Sequence, residues 1–173
     1  MNKVSNEALG RHTIETFQNA KKKPFVVVLD NVRSAQNVGS VFRTADSFAA
    51  EKLFLCGITA QPPQREISKT ALGAELSMAW EYHPETLDLV QKLKEEGYTI
   101  AVIEQVESSV DLTQFIPEKG KKYALIFGNE VEGVQAEVVS AADMAFEISQ
   151  FGTKHSLNIA VTAGIVCWKV GSC

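Results

Sequence analysis

Continuous apolar runs alternate with amphipathic segments along this chain, and that alternation restricts its fold more than any other feature. Unbroken hydrophobicity is typical of strands buried on both faces of a sheet. It occurs in FVVVLD, KLFLCG, YTIAVIEQ, KYALIFG and MAFEIS, with AWEYH as a shorter candidate strand. Helical patterns fall near 5–20, 38–48, 65–72, 87–96 and 156–170. The alternation predicts an α/β fold with a mainly parallel sheet and helices on both faces.

Length and composition limit the class of protein further. The 173 residues predict one globular domain over 25–173, preceded by a helical extension over 1–24 whose helix is capped by Ser5. No apolar run reaches the roughly 20 residues of a membrane span, and the N-terminus has no signal-peptide pattern. The three cysteines have no metal-ligand spacing, which predicts reduced thiols in a cytoplasmic protein. The net charge of −4 argues weakly against a nucleic-acid partner.

Polar loops follow three of the predicted strands. Proteins with parallel sheets usually bind their ligands there, beyond the carboxyl ends of the strands. In the first, DNVRSAQNVGSVFR, Asn37 and Gly39 open a helix that carries Arg43. A helix N-terminus offers free N–H groups to an anion, and an arginine adds a fork for phosphate. The alternative is a capping asparagine with a surface arginine, which the residues alone leave equally open.

The second loop is GNEVEGV, in which Gly128 and Gly133 have the spacing of a phosphate-binding loop. Val134 and Gln135 stand where that motif needs Lys and Ser or Thr, so a phosphate cradle is not expected. The absence of a G-x-G-x-x-G pattern argues against a dinucleotide-binding oxidoreductase. The loop carries carboxylates that suit a cation, and a solvated glycine-rich turn is the plainer alternative.

The third loop, QFGTKHSLN, separates the last strand from the last helix. Ser156 is predicted to cap that helix, which places Asn158 in its first turn. His155 could titrate near neutrality. No second histidine or cysteine stands at a ligand spacing beside it, so no metal site is expected.

Together the three loops resemble, in order and spacing, the three motifs of the SpoU (TrmH-like) RNA 2′-O-methyltransferases of the SPOUT superfamily. The matching segments are NVGSVFRTADSF, LIFGNEVEGV and SLNIAVTAGI, and the resemblance extends from about residue 25 to 170. It implies a deep C-terminal trefoil knot, which periodicity would not suggest because knots are very rare. It also implies S-adenosylmethionine as cofactor, no metal, and a homodimer whose active sites combine both subunits.

The resemblance also assigns roles to residues. The catalytic and substrate positions it implies are Arg43, Asn37, Glu130, Ser156 and Asn158. The cofactor positions are Gly128, Asn129, Ile148, Leu157 and Gln105. RNA contacts are expected from Arg33, Lys154, His155, Lys21, Lys22 and Lys23, since few residues precede the first strand and no extra RNA-binding domain is expected. The implied substrate is tRNA, and ribosomal RNA is the alternative substrate. The alternative function is that of a non-catalytic RNA-binding module.

Arg43 is the residue on which we expect catalysis to depend most. A guanidinium stays protonated in proteins, which makes it a poor general base. Arg43 is therefore expected to stabilise the developing alkoxide or to clamp the adjacent phosphate. Asn37 and Asn158 would orient Arg43 or the ribose, Ser156 would hold its loop, and Glu130 would position loop groups within one subunit or across the dimer. Val131 departs from the motif, because many relatives have glycine there.

Overall fold

Seven parallel strands form the single sheet of this protein, for which a computed structural model describes residues 3–5, 7–154 and 156–172. The strands are β1 (Lys23–Asp30), β2 (Ala50–Cys56), β3 (Trp80–His83), β4 (Tyr98–Ile103), β5 (Val110–Asp111), β6 (Lys122–Phe127) and β7 (Met144–Glu147). Their order across the sheet is β3-β2-β1-β6-β4-β7-β5, and each adjacent pair is parallel. The predicted fold class is confirmed, while the knot stays a prediction.

Helices connect the strands and cover both faces of the sheet. They are α1 (Ile14–Asn19), α2 (Ala35–Ser47), α3 (Arg65–Ala71), α4 (Ala74–Ser77), α5 (Thr86–Glu95), α6 (Ala136–Ala141) and α7 (Ile159–Gly171). Alternate residues of β1 point to opposite faces. Phe25, Val27 and Leu29 pack with buried residues of α2 and α7, whereas Val26 and Val28 pack with those of α5 and α6. Each such side chain stabilises the fold by roughly 1.5–3 kcal/mol when fully buried.

The N-terminal extension is not the single helix that its amphipathic pattern predicts. A 3₁₀ turn spans Glu7–Leu9, with Ser5 Oγ accepting from Ala8 N at 3.3 Å, and Gly10 then has a φ of +57°. That left-handed conformation ends the turn. The α-helix begins only after Thr13, whose side chain forms a reciprocal capping box with Thr16. The prediction of one helix was therefore wrong.

Two further helix starts differ from the prediction, and both differences matter for the site. Helix α2 begins at Ala35 rather than near Val38, because Ser34 is its N-cap and accepts from Asn37 N at 3.3 Å. Helix α7 begins at Ile159, because Asn158 is its N-cap and accepts from Ala160 N at 2.8 Å. The predicted capping by Ser156 was wrong, and so was a capping role for Asn37. The Asn37 side chain is thereby available for other contacts.

Candidate active site

A cavity of about 420 Å³ opens beyond the carboxyl ends of β4, β6 and β7, beside the start of α7. All five predicted cofactor positions lie in its wall, namely Gly128, Asn129, Ile148, Leu157 and Gln105. Three of the predicted catalytic positions also line it, namely Glu130, Ser156 and Asn158. The cavity thus lies at the edge of the sheet where proteins with parallel sheets usually bind their ligands. The structure brings these residues together, and their individual roles stay predictions.

The loop after β6 has a shape that depends on glycine at two positions. A Cβ on Gly128 would lie 2.1 Å from the carbonyl carbon of Gly133 and 2.2 Å from the nitrogen of Val134. Gly133 itself has a φ of +71°, which favours glycine. Asn129 and Gly133 exchange two backbone hydrogen bonds of 2.9 and 3.0 Å, and the Asn129 side chain accepts from Val131 N at 2.8 Å. Valine at 131 is accommodated because its side chain is exposed.

The carboxylate of Glu130 holds the start of α2. It accepts hydrogen bonds from the backbone nitrogens of Arg33 and Ser34, at 2.9 and 3.0 Å, and from Asn37 Nδ2 at 3.1 Å. Burial alone would raise the pKa of Glu130, but these hydrogen bonds together lower it below its usual value. A negative charge at a helix N-terminus is also favoured by the helix dipole. Glu130 therefore fixes the second motif against the first within one chain.

Asn37 continues this connection to the third motif. Its Oδ1 accepts from Asn158 Nδ2 at 3.2 Å, while its own Nδ2 donates to Glu130. Asn158 can take part because its Oδ1 is the N-cap of α7 and its Nδ2 remains available. A hydrogen-bonded chain Glu130–Asn37–Asn158 thus joins residues that lie up to 121 positions apart at the rim of the cavity.

Arg43 stands apart from this group. Its side chain is exposed on α2, and it is not among the described residues that line the cavity. It lies six positions after Asn37, which places it about 9 Å further along the helix axis and about 120° around it. Arg43 is therefore accessible to a large substrate that approaches the rim.

The residues predicted to contact RNA fall into two places. Arg33 and Lys154 are exposed in the loops at the cavity edge of the sheet. Lys21, Lys22 and Lys23 lie at the amino end of β1, the opposite edge. Lys22 Nζ lies 3.1 Å from the centroid of the Phe17 ring, and burial lowers its pKa. His155 lies outside the described residues.

Two carboxylates that hold the end of the loop after β6 were not predicted from the sequence. Asp30 is fully buried at the end of β1, and it accepts from Thr86 Oγ1 at 2.6 Å and from both Gln135 nitrogens at 2.7 and 2.9 Å. It thus anchors the end of the GNEVEGV loop. Glu104 accepts from Val134 N at 2.9 Å. The available signal was a carboxylate directly at the end of an apolar run, which a buried strand tolerates only with hydrogen-bond partners.

Among the residues that the structure describes, no group of three or more His, Cys, Asp or Glu side chains could hold a metal ion. None of the described helices combines the length and hydrophobicity that a membrane span requires.

The fold and the site together define the class to which this protein belongs. A parallel sheet with three motif loops around one cavity at its carboxyl edge places the protein among the SPOUT-type methyltransferase structures, which it matches in fold. Within that class, the chain belongs to the SpoU rRNA Methylase family, whose family model matches residues 24–168. The family that the three motifs resemble is thereby confirmed.

Three similar proteins show the range of the relationship. The chain is 31% identical over 147 residues to the tRNA (guanosine(18)-2′-O)-methyltransferase TARBP1 of Mus musculus, covering 83% of this chain but 9% of that protein. It is 26% identical over 159 residues to the tRNA (guanosine(18)-2′-O)-methyltransferase of Thermus thermophilus, covering 92% and 80%. The AdoMet-bound rRNA methyltransferase structure from Sinorhizobium meliloti aligns with a TM-score of 0.79 at 28% identity, covering 89% and 59%.

Proposed function

We propose that this protein transfers a methyl group from S-adenosylmethionine to a ribose 2′-hydroxyl of structured RNA. The observation that supports this most is the hydrogen-bonded chain Glu130–Asn37–Asn158, because it unites all three motifs at the rim of one cavity. Loops at one edge of a parallel sheet lie near each other in any case, but these side-chain hydrogen bonds join the three motifs specifically. The presence of all five catalytic positions argues against a non-catalytic RNA-binding module.

The cavity suits the cofactor in size and in chemistry. About 420 Å³ lies within the usual range of small-molecule sites, roughly 300–1,000 Å³. Apolar side chains such as Ile103, Phe127 and Leu157 alternate in its wall with backbone and polar groups, a composition suited to an adenosine moiety. The cofactor supplies a methyl group already activated on its sulfonium. The residues of this chain therefore need to align it with the hydroxyl, which can lower the barrier by several kcal/mol.

Arg43 is proposed to act on the RNA rather than on the cofactor. Its exposed position outside the cavity wall fits a group that meets the substrate. As a permanently charged fork, it would stabilise the developing alkoxide or hold the neighbouring phosphate. The Glu130–Asn37–Asn158 chain would keep α2, and with it Arg43, in a fixed orientation.

The proposed substrate is tRNA, with ribosomal RNA as the alternative. The T. thermophilus relative, of which the chain covers 80%, is named a tRNA methyltransferase, whereas the S. meliloti structure is named an rRNA methyltransferase. With a net charge of −4, the chain would depend on local positive groups such as Arg33 and Lys154 for phosphate contacts. Lys22 is occupied by Phe17, so its predicted RNA contact has the weakest support of the six.

A single labelling experiment tests this proposal. The protein is incubated with total tRNA and, separately, with ribosomal RNA in the presence of methyl-labelled S-adenosylmethionine, and the labelled nucleotide is mapped. We expect label in tRNA on a ribose oxygen, at one position. Label in ribosomal RNA alone would support the alternative substrate. Label on a base, or on neither RNA although the cofactor binds, would contradict ribose methylation.

We also propose that the protein is a homodimer that uses α7. The outward side of this helix carries Val161, Ile165 and Trp168, which are 52%, 37% and 60% exposed. Their spacing of four and three residues places them on one helical stripe. An apolar stripe of this kind on an otherwise buried helix is typical of a protein–protein contact.

Trp168→Glu is expected to convert the dimer to a monomer. A charge in the middle of an apolar contact would remain unpaired and lose its water, which disfavours association strongly. Sedimentation velocity would measure the change in mass. Tyr82→Glu is the matched control, since Tyr82 is also an exposed aromatic residue but lies on β3 at the edge of the sheet. A variant at Trp168 that remains dimeric would contradict the proposed interface.

The cellular location and the division of the chain are proposed on separate grounds. Cys56 and Cys167 are free, buried thiols, and burial raises the pKa of each to about 12. Unreactive thiols without a disulfide fit the reducing cytoplasm, which we propose as the location. We also propose the division into an N-terminal extension over 1–24 and a methyltransferase domain over 25–173, because the family model begins at residue 24.

A further inference from the structure

Glu147 lines the cavity, and its carboxylate makes no hydrogen bond or ion pair with another described residue. Glu147 ends β7, where its backbone oxygen accepts from Leu112 N at 2.9 Å, so its position is fixed by the sheet. Its side chain is half-buried in the wall, next to Ile148. A carboxylate in this position is met by water on its exposed side, and a cationic ligand that enters the cavity would replace that water as its partner.

The other two carboxylates in the described wall already have partners. Glu130 accepts three hydrogen bonds at the start of α2. Glu104 accepts from Val134 N at 2.9 Å and from Gln105 N at 3.1 Å, which holds two loops in place. Glu147 is therefore the acidic side chain that is most available to a ligand.

The charge of the cavity points to the kind of ligand that Glu147 would meet. The described residues in its wall include three glutamates but no lysine, arginine or histidine. A concave wall of one sign raises the local concentration of ligands of the opposite sign. S-adenosylmethionine carries two positive centres, the sulfonium and the α-ammonium, and one carboxylate.

We propose that Glu147 is a specificity-determining residue that pairs with a positive centre of the cofactor. This rests on the proposed function, since it takes S-adenosylmethionine as the ligand. The cavity consequently selects the charged cofactor over neutral adenosine derivatives of similar shape. The methionine carboxylate, for which the described wall offers no cationic side chain, would be met by backbone N–H groups.

The test compares a charged ligand with a neutral one. Glu147→Gln keeps the shape of the side chain and removes its charge. Calorimetry is expected to show the Kd of S-adenosylmethionine rising about tenfold, the usual size of one charge-assisted hydrogen bond. The Kd of 5′-methylthioadenosine, which lacks both positive centres, is expected to change less than about twofold. Glu137→Gln, an exposed glutamate of α6, is the matched control and should change neither value.

The choice of ligands also shows which part of the proposal is wrong if an expected result is not obtained. S-adenosylhomocysteine keeps the ammonium but lacks the sulfonium, so a tenfold loss on it as well assigns Glu147 to the ammonium, and no loss assigns it to the sulfonium. An equal loss for 5′-methylthioadenosine would mean a structural role and overturn the proposal. Unchanged binding of S-adenosylmethionine would overturn it too. If the wild-type protein bound none of these ligands, the proposed function itself would be wrong.

Discussion

Replacing Arg43 with alanine is expected to lower methyl transfer at least about 100-fold, as for the loss of a catalytic group. The fold and the cofactor affinity should stay close to those of the wild type. Arg43 is exposed and lies outside the described cavity wall, so its loss removes no buried contact and no cofactor contact. Single-turnover rates, circular dichroism and calorimetry with S-adenosylmethionine would measure the three quantities separately.

Two variants sharpen this prediction. Arg43→Lys keeps the charge but loses the planar fork, so its rate should lie between those of wild type and alanine if two-point recognition matters. Arg65→Ala removes an exposed arginine at the start of the neighbouring helix α3, and its rate should stay within about twofold of wild type. Near-normal turnover by Arg43→Ala would remove Arg43 from the mechanism.

The sheet could be predicted because its central strands bury both faces. A run such as 25–30 leaves little choice of structure, since every side chain in it is buried. The two-residue β5 and the four-residue α4 escaped prediction because elements so short carry no periodicity. The N-terminal helix was predicted too long because the amphipathic pattern continues across Gly10, where the backbone turns.

The residues of the candidate site could be predicted, but the hydrogen bonds that connect them could not. The residues around the cavity were identified by resemblance to known motifs, since each loop alone had a plain structural explanation. The contact between Asp30 and Gln135 spans 105 positions, and no local pattern contains it. Lys23 shows the opposite case: it is close to the first motif in sequence, but it begins β1 and the motif follows the other end of that strand, about 23 Å away.

Gly128→Ala is expected to weaken S-adenosylmethionine binding at least about 100-fold and to lower the free energy of unfolding by about 2 kcal/mol. The added Cβ would lie 2.1 Å from backbone, which cannot rotate aside as a side chain can. The Asn129–Gly133 hydrogen bonds must then open, and Glu130 moves with them. One methyl group would thus separate the second motif from the other two. Urea unfolding and calorimetry would measure the two losses.

A graded series of glycine variants distinguishes this steric cause from a general effect of alanine. Gly133→Ala should give a smaller loss, because its Cβ would meet the Glu104 side chain, which can move, although a φ of +71° adds strain of about 1 kcal/mol. Gly152→Ala, in the third loop, meets no atom of the described residues within 4 Å and should bind cofactor like the wild type. Since the three substitutions add the same group, only the space around each glycine separates them. Equal cofactor affinity for all three would mean that the close approach at Gly128 does not shape the site.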